Sequence, residues 1–133
     1  MPLVCAFDDV KDETKKVEGN PENGVHGMTV FTEFFGAHGG PGFPHATFNE
    51  FEPGRTSHPH YHAVDQFQVS LKGKAKMGRH DMDTYSVHFS RAYTPYGPFV
   101  ADEEEGLVCF NLHALSLIHI SEPTRLRRIS YAV

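Results

Sequence analysis

The stretch SHPHYHAVDQF, Ser57 to Phe67, places histidines at 58, 60 and 62 and a glutamine at 66. Imidazoles and an amide at these intervals can hold a divalent cation or supply hydrogen bonds to a polar guest. On an extended backbone, residues two apart leave the same face with Cα atoms about 6.5 to 7 Å apart, so His60 and His62 can converge on one ion. Gln66 follows after a short turn and can add its amide oxygen. That oxygen is uncharged, so a metal held by His60, His62 and Gln66 is bound more loosely than one with a carboxylate and stays more positive. His58, beside Pro59, is expected at the mouth of such a pocket. No nucleophile motif accompanies these residues, and no general base is apparent beyond the histidines.

The spacing extends past the histidines. From Gly54 to Gly73 the chain reads G-x5-H-x-H-x3-Q-x6-G, with Gly54 and Gly73 as its turn glycines. This resembles the first motif of the cupin superfamily, in which an acid stands at the position of Gln66. Pro95-Tyr-Gly97 resembles the core of the second motif, which makes Pro95 and Gly97 its structural turn. The histidine expected three residues after Gly97 is Val100, and the asparagine four further on is Glu104. The resemblance implies an all-β fold: a cupin-like antiparallel β-barrel of the double-stranded β-helix or jelly-roll kind. It also implies a small polar molecule as guest, a divalent transition metal (iron, manganese, zinc or nickel), and a homodimer. Dioxygenase- or isomerase-type catalysis goes with a held ion. A non-catalytic, metal-free module that binds or senses a ligand goes with histidines that serve only as hydrogen-bonding groups. His58, His88 and His113 each lie in or next to a strand that can border the pocket, and each is a candidate to replace the missing ligand.

The elements that must position these residues are strands. From Met28 onward, the runs MTVFTEFF, ATFNEFE, HPHYH, DQFQVSL, AKMGRH, TYSVHF, RAYTP and LVCFNLH alternate with turns. In QFQVSL the period-two pattern sends Gln66, Gln68 and Ser70 inward and Phe67, Val69 and Leu71 outward. Leaving the outward trio wet forfeits about 1.5 to 3 kcal/mol each, so an N-terminal strand or a second subunit is expected over it. Tyr93, Tyr96 and Phe99 flank the second motif and are candidate pocket walls. SLKGKAKMG reads as a hairpin turning at Lys72 and Gly73, its lysines keeping a strand end wet. DEEE, Asp102 to Glu105, reads as an exposed loop.

The chain has 133 residues, enough for one domain. Residues 1–27 are expected to be a partly disordered lead-in with at most one helical turn, and 28–114 the barrel. The remainder, LSLIHISEPTRLRRISYAV, resembles the translation of a transposase sequencing adapter. It is set aside as no part of the domain, which makes the barrel C-terminally truncated after Ala114. A formal net charge of −5 argues against nucleic acid, whose phosphates demand clustered cations. The opening MPLVCAFDDV, broken by Asp8 and Asp9, reads as neither leader nor membrane span, so a cytoplasmic location is expected. Cys5 and Cys109 have no CxxC spacing and read as ordinary thiols.

Overall fold

Alternation of inward and outward side chains governs the architecture seen in a computed structural model, which describes residues 4–35 and 45–114. Residues 1–3, the Gly/Pro-rich stretch 36–44 and the tail 115–133 lie outside the described residues. A single-turn helix, α1 (Phe7–Val10), precedes eleven strands: β1 (Thr14–Glu18), β2 (Val25–His26), β3 (Met28–Phe35), β4 (His45–Phe51), β5 (Thr56–Ser57), β6 (Asp65–Gly73), β7 (Ala75–Met77), β8 (His80–Met82), β9 (Val87–Ser90), β10 (Phe99–Ala101) and β11 (Leu107–Ala114). Six of them form one antiparallel sheet in the order β1-β3-β4-β11-β6-β9, and five form a second in the order β2-β5-β10-β7-β8. The fold is all-β and cupin-like. Its sheets are not joined by strand pairing into a closed barrel among the described residues.

Three local expectations differ from the structure. The lead-in is ordered in part: β1 pairs with β3 along its whole length, and β2 pairs with β5. All five β1 residues are exposed, so this edge strand is held by its backbone ladder and a 2.7 Å hydroxyl bond between Thr14 and Thr32, and it carries no apolar alternation to announce it. The chain after Gly73 is not a hairpin. β6 pairs with β11 and β9, whereas β7 pairs with β10 and β8, so the chain changes sheets there. Lys72, Lys74 and Lys76 are exposed at this crossing. RAYTP forms a turn instead of a strand, because Asp65 accepts the Ala92 N–H at 2.8 Å and the Thr94 N–H closes onto the Arg91 carbonyl.

Packing separates the two ends of the sandwich. The apolar cluster joins Ala75, Met77, Met82, Phe99, Ala101, Leu107 and Cys109, with Phe51 and Tyr96 against it. Outside the larger sheet, Phe7 of α1 lies 5.5 Å from Phe48 and 6.4 Å from Phe34, and Phe34 lies 5.1 Å from Phe110. The helix thus packs over Phe34 and Phe48, beside the Phe67-Val69-Leu71 face for which an N-terminal strand or a second subunit is expected. Phe67 and Phe89, paired at 4.8 Å, remain 46% and 48% exposed beside Leu112. No described helix is long and apolar enough to cross a membrane.

Gly73 makes the sheet change sterically possible. Its φ is +82°, and a Cβ at this position would overlap the Gly106 carbonyl oxygen. Gly73→Ala is expected to lower stability by about 1 to 3 kcal/mol, measured as a fall in the urea midpoint with unchanged slope.

Candidate functional site

Register between three neighbouring strands builds the site. β4 and β6 flank β11, and their inward side chains meet in successive rungs. At the apolar end Leu107 faces Phe51; next, Cys109 lies between Asn49 and Ser70. Asn111 then lies between Thr47 and Gln68, and His113 between His45 and Gln66. The interior thus turns from apolar to polar along three strands at once. On the far side of β6, Gln68 pairs with His88 and Gln66 with Ser90.

A buried amide cannot be left unbonded without a desolvation penalty, and Gln66, 0% exposed, is bonded at both ends. Its Nε2 donates to the Tyr96 hydroxyl at 2.9 Å, and its Oε1 accepts from Nε2 of His113. The Nδ1 of His113 is in turn 3.0 Å from Nε2 of His45, one proton lying between the two rings. Gln68 repeats the arrangement one rung away, accepting from Nδ1 of His88 at 2.8 Å.

His60 and His62 come to this cluster from a segment that is extended but forms no regular strand. Instead of the expected HPHYH strand there is β5 and one isolated bridge, in which His60 and Tyr96 exchange backbone hydrogen bonds of 3.0 and 2.9 Å. Pro59, which has no N–H to donate, interrupts the ladder. The Tyr93 N–H donates to the His62 carbonyl at 2.7 Å. The two imidazoles stand 5.2 Å apart, nearly perpendicular, with His62 5.4 Å from His113. Nδ1 of His60 is 2.9 Å from the His58 carbonyl, which can only accept, so that nitrogen carries the proton and Nε2 the lone pair.

These residues open onto a cavity of about 670 Å³ between the sheets, whose walls include His58, His60, His62, Gln66, Gln68, Tyr96 and Phe99. His58 is exposed at the rim, its ring against Gly24. Two expected wall residues stand elsewhere. Ser70 is fully buried on the Cys109 rung, away from the cavity lining, and Tyr93 packs 6.2 Å from Tyr61. Pro95 and Gly97 flank the bridge residue Tyr96 in the irregular segment that leads into β10, and Gly54 donates its N–H to the Asp102 carbonyl. Of the three candidate replacement ligands, His113 reaches the His62 and Gln66 cluster, whereas His88 packs 4.9 Å from Tyr96 on its Gln68 bond. Val100 is 40% exposed and does not line the cavity. Sequence reading missed His45, whose inward parity with Thr47 and Asn49 in β4 was its only signal. It also missed Arg55, on the cavity wall two residues before the inward Ser57.

Burial sets the electrostatics. It pushes the Tyr96 phenol up to about 12, against the opposing effect of the Gln66 hydrogen bond. Burial likewise raises the Cys109 thiol to about 12, so that sulfur is no nucleophile. His88 is lowered by burial and then by His80, which favours the neutral ring.

The donor set fits a cation in part. His60 offers a lone pair and His62 stands at a separation from which two rings can share one ion. The Gln66 oxygen, however, is already used by His113. Among the described residues, no group of three His, Cys, Asp or Glu side chains is placed to hold a metal.

No family model and no curated protein matches the chain. Solved structures do. The chain is similar to a protein described as a predicted oxalate decarboxylase from Thermotoga maritima, with TM-score 0.64 and 11% identity over 86% of this chain and 100% of that one. It is similar to the polyketide cyclase RemF from Streptomyces resistomycificus, with TM-score 0.63 and 20% identity over 85% and 79%. It also resembles HppE solved with iron(II) and an alternative substrate, with TM-score 0.58 and 16% identity over 77% and 57%. A cupin-like protein from Thermotoga maritima also matches, with TM-score 0.59 and 17% identity over 73% of this chain and 75% of that one, so the chain has the cupin fold, and the likeness at these identities is one of fold.

For Tyr96 the folded pKa lies above the unfolded value of about 10, so its contribution to stability is complete below that pH and lost as pH rises towards 12. Tyr96→Phe is expected to remove both this alkaline loss and the last phenolate to appear in an absorbance titration.

Proposed function

We propose that the chain is a small-molecule-binding domain that takes a polar guest into the cavity between its sheets. The observation that carries this reading is the convergence of His60, His62, Gln66, Tyr96 and His113 on one wall of a cavity of about 670 Å³, a size usual for small-ligand sites. The hydrogen bonds of Gln66 to Tyr96 and His113, and of the His60 ring to the His58 carbonyl, fix these side chains in advance, which reduces the entropy lost when a guest binds.

Two versions of the reading each have an observation in their favour. In the first, His60 and His62 hold a divalent ion such as iron, manganese, zinc or nickel, with Gln66 bracing the cluster and adding its oxygen only when His113 releases it. The bond from His60 to the His58 carbonyl supports this version, because such bonds orient metal-bound imidazoles. A bound ion would supply Lewis-acid or redox chemistry of the dioxygenase or isomerase kind, and the iron(II) in HppE and the activities named for RemF and the Thermotoga protein lend support. In the second version the chain binds or senses its guest without metal or catalysis. The engagement of Gln66 at both ends favours it.

Elemental analysis and metal titration of the wild type, His60→Ala and His62→Ala separate the two. The first version expects bound ion in the wild type and at least about tenfold weaker binding in each variant. A wild type that takes no ion but still binds a small polar molecule supports the second version, and one that binds neither rejects both. The exposed Phe67 and Phe89 face supports a homodimer as a further part of this reading. Sedimentation should then show a dimer that Phe67→Glu converts to monomer.

A further inference from the structure

Arg55 follows Gly54 in the turn between β4 and β5, and its backbone is pinned on both sides. Its N–H donates to the Glu52 carbonyl at 3.1 Å, and its carbonyl accepts from Ala101 at 2.8 Å. The guanidinium carbon lies 4.7 Å from the centre of the Phe51 ring and 5.8 Å from that of Phe99. Nε is buried and has no hydrogen-bond partner. Arg55 forms no ion pair with any described residue; the nearby Glu52 carboxylate instead accepts the Met28 N–H at 2.6 Å. Burial lowers the Arg55 pKa, with Cys109 and then Glu52 opposing it, but a guanidinium stays charged in a protein.

The surroundings make this cation unusual. In a chain of net charge −5, the described residues of the cavity wall include no Asp, Glu or Lys, and Arg55 is the one permanently charged side chain among them. A guanidinium withdrawn from water with an unmet N–H is costly unless an anion answers it. Resting on the small-molecule reading above, we propose that the guest carries a carboxylate, held by Arg55, while the rest of the molecule reaches towards Tyr96, His60 and His62. A carboxylate matches the planar fork of a guanidinium and brings one charge to one cation. A phosphate dianion would bring a second charge into a wall that has no second cation to meet it.

The test uses the full chain and calorimetric titration with malonate, succinate and benzoate, their neutral amides, and inorganic phosphate. At least one acid is expected to bind the wild type about tenfold or more tighter than its amide, which is about 1.4 kcal/mol. Arg55→Met should abolish that preference without lowering the melting temperature, since it removes a half-buried charge that has no ion pair among the described residues and keeps the apolar stem against Phe51. Should Arg55→Met not fold, the Nε–H resonance of Arg55 in the wild type, assigned by its loss in Arg55→Lys, decides: it must shift on addition of the tightest-binding acid. Amides binding as tightly as acids, phosphate binding in preference to them, an unshifted resonance, or full acid affinity in Arg55→Met each overturns the carboxylate assignment and leaves the small-molecule reading standing. A folded wild type that binds none of the probes removes both.

Discussion

The need to bond a buried amide organises this site. Gln66 lies on a central strand with no access to water, so both ends of its side chain must find partners inside the protein. One end takes Tyr96, which a backbone bridge ties to His60. The other takes His113, which shares a proton with His45. A single residue thereby connects the six-stranded sheet to the histidine segment that closes over it. The same bonds make Gln66 a brace, whereas a glutamate at this position would add a negative charge to the cluster and accept at both oxygens.

The division of the interior into two ends follows from the same strands. Inward positions of β4, β6 and β11 become more polar rung by rung, and the apolar cluster ends where the polar rungs begin. Arg55 stands at this boundary, its face against aromatic rings and its Nε without a partner. Aromatic contact stabilises the guanidinium but leaves its N–H groups to be satisfied by something else. Among the described residues the cavity wall therefore carries one fixed positive charge and no carboxylate, in a chain of net charge −5.

Much of the fold was legible because alternation is a local signal. The runs read as MTVFTEFF, DQFQVSL and LVCFNLH coincide with β3, the body of β6 and β11, and Gln66, Gln68 and Ser70 face inward as their parity requires. Legibility stopped where backbone pairing acted without apolar pattern, as in β1, and where a sheet change looked like a turn, as at Gly73. Ser70 and Tyr93 show a related limit: parity places a side chain inside or outside, but not at a given depth. His45 was invisible as a site residue because its partner His113 lies far along the chain, and Arg55 because no local pattern marks it as lining the cavity.

The sequence alone determined the all-β character, the inward amides and the pair of histidines set two apart, since period and spacing are properties of a short stretch of chain. Tertiary structure alone decided that Gln66 is tied to His113 and Tyr96, that His45 completes the row, and that Arg55 lines the cavity with no ion pair among the described residues. The reason is physical: a hydrogen bond or an ion pair depends on which strands lie side by side and in what register, and that is fixed only when the sheets assemble.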